Sequence, residues 1–317
     1  MPCLDENQLL DLVAGELDAA QREAFERHLD GCARCSDELL ALVGGVRAPT
    51  LGVGDRLGRY RLLRRLGKGG MGEVFAAHDE WLQREVAIKL LRAELHGVER
   101  DTLLHEARAL AALQHPGIVR VFDVGTDDDG RCYFAMELIA GATLRRQLRG
   151  TLPPLATRLR WALQIGEALA AAHDVGVVHG DVKPDNVLIS PAGDALLLDF
   201  GLARLRQAPH GVARWAGTPA YLAPEQHDGA LADERSDQFA YAATVHELTW
   251  GSVAFAGRDL AQLRAAKSRA LPLPPSPERT RGARVHRVVT RGLAPQPAAR
   301  WPDVHAMVSA LRAATAP

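Results

Sequence analysis

The sequence lacks several things, and each absence excludes something. Neither sign of charge is in excess: 38 Lys and Arg face 39 Asp and Glu in 317 residues. There is therefore no broad basic field for nucleic acid and no polyacidic tail. No apolar run approaches the roughly 18–20 residues that span a bilayer. The first residues, MPCLDENQLL, are acidic and lack the charged-then-apolar order of a secretory leader. A cytoplasmic protein without nucleic-acid or membrane partners is expected. Cysteine is scarce: Cys3, Cys32, Cys35 and Cys132 are the whole complement, and three fall within the first 35 residues. In a reducing compartment such clustering favours metal binding over disulfides. One absence is local: DFGLARLRQAPHGVARWAG, from Asp199 to Gly217, contains no Ser, Thr or Tyr.

What is present is ordinary for a soluble globular chain, 47% hydrophobic and 24% charged, and the length suggests about two domains. Residues 1–43 read as short helices, with Leu9, Leu12, Val13 and Leu17, then Phe25 and Leu29, near helical spacing. Asp18 is a plausible N-cap and Asp30-Gly31 a break. Residues 44–56, rich in Gly and aperiodic, read as a linker. From Tyr60 the pattern changes. RYRLLRRLG, GEVFAAHD and REVAIKLLR suggest three consecutive strands, followed by a helix over about 99–113. GIVRVFDVG and RCYFAMELI suggest two more strands. Helices are expected over 155–174, 233–250, 260–269, 283–293 and 302–314. A β-rich lobe (about 57–140) followed by a helical lobe (141–314) fits this α+β division.

Several motifs point to phosphate chemistry. LGKGGMGEV places Gly67, Gly69 and Gly72 ahead of Val74, and glycines let a hairpin's backbone N–H groups approach phosphate. A strand follows them, not a helix, which excludes a dinucleotide-binding fold. VAIK ends in Lys89, a strand lysine that needs a charge partner if buried; Glu106 on the next helix can supply one. VVHGDVKPDNVLI holds Asp181, a carboxylate able to accept a hydroxyl proton. It also holds Lys183, able to neutralise a phosphate in transfer, and Asn186, a neutral oxygen ligand suited to Mg²⁺. Asp199, after the apolar LLL, offers a second, charged ligand. Glu225 in GTPAYLAPE wants a cation, and Arg300 is a candidate.

These motifs, in order over about Tyr60–Leu311, resemble a bacterial eukaryotic-type serine/threonine protein kinase. The resemblance implies a two-lobed fold with ATP and Mg²⁺ (or Mn²⁺) in the cleft and Ser/Thr-bearing proteins as substrates. It implies Lys89, held by Glu106, on the α/β-phosphates, Asp181 as catalytic base, and Asn186 and Asp199 on the metal. Leu66, Val74, Ala87 and Leu188 would enclose adenine, with Met136 as gatekeeper and Glu137 and Ile139 as hinge. Lys183 and Thr218 resemble the Ser/Thr branch. Gly180 departs from the pattern. An arginine commonly stands there to receive a phosphorylated activation segment, and here the segment's hydroxyls are missing as well. Activation-loop phosphorylation is therefore not expected. Ala240 and Ala242 also depart from the usual Ser and Gly. HGD with Asn five residues on also resembles aminoglycoside and choline phosphotransferases, a small-molecule alternative that KPDN and GTPAYLAPE oppose. A nucleotide-binding pseudokinase scaffold is a non-catalytic alternative.

HLDGCARC gives His28, Cys32 and Cys35, with Cys3 upstream, a donor set for a closed Zn²⁺ site. Some 43 residues cannot bury much core alone, and metal would supply folding energy. The order resembles the zinc-binding anti-sigma-factor domain. That resemblance implies a protein-docking, oxidation-responsive regulatory module, with a sigma factor as a possible partner. Cys132 is expected to be a small buried hydrophobe.

Overall fold

The computed structural model describes residues 3–5, 8, 11–12, 21, 24–25, 28, 32, 35, 51–69, 72–91, 113–127, 131–200, 219–257, 259–269 and 279–316. The chain divides into two compact units, Met1–Asp55 and Arg56–Pro317.

In the first unit Gln8, Asp11, Leu12, Gln21, Ala24, Phe25, His28 and Cys35 are helical. Leu4, Phe25 and Cys35 form its buried centre, with Leu12, Ala24 and Cys32 against them. The expected cap at Asp18 and break at Asp30-Gly31 lie outside the described residues.

The second unit opens with an antiparallel sheet of β1 (Arg56–Leu57), β2 (Tyr60–Gly69), β3 (Gly72–Asp79), β4 (Arg84–Leu91), β5 (Val121–Thr126) and β6 (Cys132–Glu137). The spatial order is β1-β2-β3-β4-β6-β5. Register aligns Gly67 with Val74, Val74 with Lys89, and Lys89 with Phe134. β4 is buried from Val86 to Leu91, so Lys89 sits on a strand with little solvent on either face. Gly72 has φ +147°, and a Cβ there would lie 1.9 Å from the Leu90 carbonyl oxygen. Only glycine lets β3 run this close to β4.

A second, small antiparallel sheet joins β7 (Ala142–Thr143), β8 (Val187–Ile189) and β9 (Ala195–Leu197). The helices are α1 (Leu144–Gln147), α2 (Leu155–Asp174), α3 (Pro224–His227), α4 (Glu234–Trp250), α5 (Leu260–Lys267), α6 (Arg279–Gly292) and α7 (Val304–Thr315). α4 is buried at every position from Ser236 to Thr249, the mark of a helix enclosed on all sides. Asp233 caps its start by accepting from the Ser236 N–H, and Gly251 ends it in the left-handed conformation. The large core gathers α2, α4, α6 and α7 around Ile165, Leu169, Phe239, Val289 and Leu311.

Several expected boundaries move. β5 starts at Val121, not Gly117. The residues before it bond elsewhere: Leu197 N–H donates to the Gly117 carbonyl and Val119 N–H to the Leu197 carbonyl, so this stretch joins β9. α4 and α7 begin one or two residues late, because Asp233 and Asp303 are caps and not first helical residues. α6 starts earlier, at Arg279, and α5 ends earlier, at Lys267. The helix expected over 99–113 lies outside the described residues except Leu113. Cys132 is half-buried on β6.

Candidate functional site

The loop between α2 and β8 is built around Asp181. Lys183 Nζ donates to both of its carboxylate oxygens, at 2.9 and 2.7 Å. Asn186 Nδ2 donates to the Asp181 carbonyl at 2.8 Å and to its Oδ2 at 2.9 Å. With its amide nitrogen so engaged, Asn186 keeps its carbonyl oxygen as the end suited to a cation. The short 3₁₀ turn Pro184–Asn186 brings Asn186 back onto Asp181. Leu198 N–H donates to the Asn186 carbonyl at 2.9 Å, which ties the next segment to the loop.

That segment delivers Asp199. Its Oδ2 lies 2.6 Å from Lys89 Nζ, and both side chains are largely buried. Asp199 has φ +65°, a left-handed conformation that costs a non-glycine residue roughly 1–2 kcal/mol and that Asp tolerates better than most. Phe200 packs on the His179 ring at 4.6 Å. Asp237, at the start of α4, holds the loop from its other side. Its Oδ2 accepts from the His179 N–H at 2.7 Å and lies 2.9 Å from His173 Nε2; its Oδ1 accepts from the Gly180 N–H at 2.7 Å. Gly180 has φ +77°.

A cavity opens beside this cluster, lined by Lys89, Ile118, Val119, Val121, Phe134, Met136, Asp199 and Phe200. The structure thus brings together Lys89, Met136 and Asp199. Ala87 is paired across strands with Met136, and Ile139 packs on the same apolar cluster. Leu66, 41% exposed, Val74, Glu137 and Leu188 do not line that cavity. Gly67 and Gly69 lie on β2 and Gly72 on β3. Glu106, the expected partner of Lys89, and Thr218 lie outside the described residues. Glu225 and Arg300 form a bidentate pair, 2.7 Å at each contact.

Sequence reading missed two non-local arrangements. Arg145 on α1 reaches Asp185, Glu247 and the Tyr221 hydroxyl. Lys267 is fully buried against the backbone of residues 219–222. Only the second left a signal: Leu260, Leu263 and Lys267 share one face of α5.

In the first unit the ligand atoms of Cys3, His28, Cys32 and Cys35 all lie within 4.8 Å of one another. Cys3 Sγ is 3.8 Å from Cys32 Sγ, and His28 Nε2 is 3.4 Å from Cys35 Sγ. Two Zn–S bonds of about 2.3 Å at the tetrahedral angle also put sulfurs about 3.8 Å apart, so the donor set fits a structural zinc. Burial is the main cause that pushes the Cys35 thiol up, to about 11.

A family model for the protein kinase domain matches residues 60–300. The chain belongs to the protein kinase family. A second model, described as "Putative zinc-finger", matches residues 6–36 of this kinase. Its relatives include serine/threonine-protein kinase pkn2 of Myxococcus xanthus, 38% identical over 81% of this chain and 32% of pkn2. They also include serine/threonine-protein kinase PknE of Mycobacterium tuberculosis, 37% identical over 83% of this chain and 47% of PknE. The DNA damage-responsive serine/threonine-protein kinase RqkA of Deinococcus radiodurans is 41% identical over 63% of this chain and 31% of RqkA. The chain thus spans from just under a third to just under half of the length of these curated relatives. The crystal structure of the Mycobacterium tuberculosis PknI kinase domain matches 84% of this chain and 100% of its own, with a TM-score of 0.66 and 28% identity. The β-rich and helical lobes expected from sequence are those of this fold. The kinase domain implies ATP, a divalent metal ion and a protein acceptor. Among the described residues no helix is long and apolar enough to cross a membrane.

Proposed function

We propose that the chain is an ATP-dependent serine/threonine protein kinase, with its kinase domain over residues 57–314, a linker at 44–56 and a zinc-binding module at 1–43. The observation that carries the reading is the Asp181–Lys183–Asn186 cluster beside the Lys89–Asp199 pair. Asp181 is the base: its carboxylate orients the acceptor hydroxyl and takes its proton as oxygen attacks the γ-phosphorus and the bond to the β-γ bridging oxygen breaks. Lys183, 2.7 Å from that carboxylate, balances charge where the phosphoryl group crosses. Lys89 binds the α/β-phosphates. Leu66, Val74, Ala87, Met136 and Leu188 enclose adenine, Glu137 and Ile139 supply the hinge, and Gly67, Gly69 and Gly72 form the hairpin over the phosphates. Asn186 and Asp199 are hard oxygen donors, which suit Mg²⁺ or Mn²⁺. When bound, the metal offsets phosphate charge.

Protein acceptors are favoured by the Glu225–Arg300 pair, which anchors the last residue of the GTPAYLAPE motif. The kinase names of the relatives support the same reading. The decisive experiment incubates the full chain with MgATP and myelin basic protein. Phosphoserine and phosphothreonine should form, and Asp181→Asn should lower the rate roughly 10²–10⁴-fold. Transfer to kanamycin or choline but not to protein, or an unaffected Asp181→Asn, would overturn the assignment.

We assign Zn²⁺ to Cys3, His28, Cys32 and Cys35 and infer that their module docks a regulatory protein, a sigma factor being the class its resemblance suggests. Thiolate ligation needs a reducing compartment, which is the ground for placing the chain in the cytoplasm. A pull-down whose captured partner is unchanged by His28→Ala would remove that role.

A further inference from the structure

One buried lysine holds the segment 219–222. Lys267, the last residue of α5, is 1% exposed. Its Nζ donates to the Pro219 and Leu222 carbonyls, each at 2.6 Å, and to His227 Nε2 at 2.8 Å. An ammonium has three N–H donors, so all are engaged. The rings of Phe239 and Phe255 lie 5.6 and 6.0 Å from it. Among the described residues no carboxylate bonds this ammonium.

Helix packing alone needs no such group: an apolar side chain would fill this place on α5, at the cost of leaving the carbonyls that Lys267 meets without a donor. What the lysine does is local. It pins two carbonyls three residues apart, and so sets the shape of the turn between them. That turn faces the catalytic loop: Tyr221 and Leu222 line one small cavity together with Gly180 and Asp181. The turn therefore stands across a single cavity from Asp181.

We propose that Lys267 is a positioning residue for the protein acceptor, its ammonium fixing Pro219–Leu222 as the surface against which the acceptor chain lies. The inference rests on the kinase reading above.

The charges around Lys267 give the proposal a signature. Glu225 and His227 face it from α3, Asp228 follows α3, Arg264 lies one turn earlier on α5, and the Arg300 guanidinium stands over the Phe239 ring. Burial pushes Lys267 down to about 7, against a weaker opposing pull from Glu225. Burial, then Lys267 and Arg264, push His227 down to about 4, so its imidazole is a neutral acceptor. Above pH 7 the amine keeps two N–H donors for three acceptors, and the turn loosens. Stability moves the other way. An unfolded lysine titrates near 10.4, so between about 7 and 10 the unfolded chain binds more protons and folding stability rises with pH.

The test measures initial rates with MgATP and myelin basic protein from pH 6 to 9, for the wild type and Lys267→Met, with MgATP affinity by calorimetry. In the wild type the acceptor KM should climb severalfold between pH 7 and 8. Lys267→Met should show an acceptor KM at least tenfold higher at pH 6.5, flat with pH, and MgATP affinity within twofold of the wild type. His227→Gln, which keeps an acceptor oxygen, should stay within threefold of the wild type. An unchanged KM in Lys267→Met, or an equal loss of MgATP affinity, would overturn the proposal. If Lys267→Met does not fold, Lys267→Gln, which keeps two N–H donors but no charge, decides in its place, and an acceptor KM equal to that of the wild type at pH 6.5 overturns the proposal. A wild type that phosphorylates no protein at any pH overturns the kinase reading, and the proposal with it.

Discussion

Asp237 accepts the backbone N–H of His179 on one carboxylate oxygen and that of Gly180 on the other, both at 2.7 Å. Immediately after these two amides the chain turns at Gly180, whose φ of +77° lies in the region that favours glycine. The loop that carries Asp181 is thus fixed through its backbone, from a helix buried on all sides. Asparagine at 237 would offer one acceptor oxygen and an NH₂ group to donors. Asp237→Asn should cost about 1–3 kcal/mol of stability for the buried donor left unmet. It should also lower kcat at least tenfold while leaving MgATP affinity near the wild-type value. Chemical denaturation and steady-state kinetics check both parts.

The same geometry gives Gly180 a conformational reason apart from the missing arginine. Gly180→Ala should destabilise by roughly 1–2 kcal/mol, the cost of a Cβ in the left-handed region. Gly180→Arg should not create dependence on phosphorylation, because no hydroxyl lies between Asp199 and Gly217 to receive phosphate. Treating that variant with a phosphatase before assay should leave its activity unchanged; a large loss would sink the idea.

Arg300 is 0% exposed at its side chain and clasps Glu225 through two parallel contacts of 2.7 Å. Its remaining N–H groups reach the carbonyls of Ala294, Arg235 and Pro295. Removing one partner of such a pair strands the other charge. Glu225→Gln should therefore lower stability by about 3–5 kcal/mol, and Arg300→Met at least as much, since it strands Glu225 as well as three carbonyls. Thermal denaturation of the three proteins should separate by several degrees.

The groups proposed for catalysis were legible because each belongs to a short, local pattern: VAIK for Lys89, HGDVKPDN for Asp181, Lys183 and Asn186, DFG for Asp199. The long strands and helices were legible from periodicity, and their ends moved where a cap stood in for a helical residue, as at Asp233 and Asp303. β7 and α1, two and four residues long, carry too little sequence to show a period. The Arg145 cluster draws on positions 40, 76 and 102 residues away. Nothing in LRRQ announces those partners, because the fold, not the spacing, brings them together. Gly180 was read by what it lacks, and its φ supplies a second reason that composition could not.

The cysteine cluster gives the sharpest metal prediction. Four ligand atoms within 4.8 Å of one another match one tetrahedral ion, so the purified chain should carry one zinc per molecule by atomic absorption. Cobalt in its place should give the intense visible bands of a tetrahedral thiolate site. Cys32→Ser, Cys35→Ser and His28→Ala should each lose the metal. Cys35 sits in the buried centre with Leu4 and Phe25, so its loss should also unfold the module, visible as lost helical signal for that unit. Cys3 is exposed, and a solvent molecule could replace its thiolate, so Cys3→Ser should weaken binding without abolishing it. Cys132→Ser is the control, on a strand of the other unit, and should keep full zinc. Equal metal loss from Cys132→Ser, or none from Cys35→Ser, would show that these four side chains do not form the site.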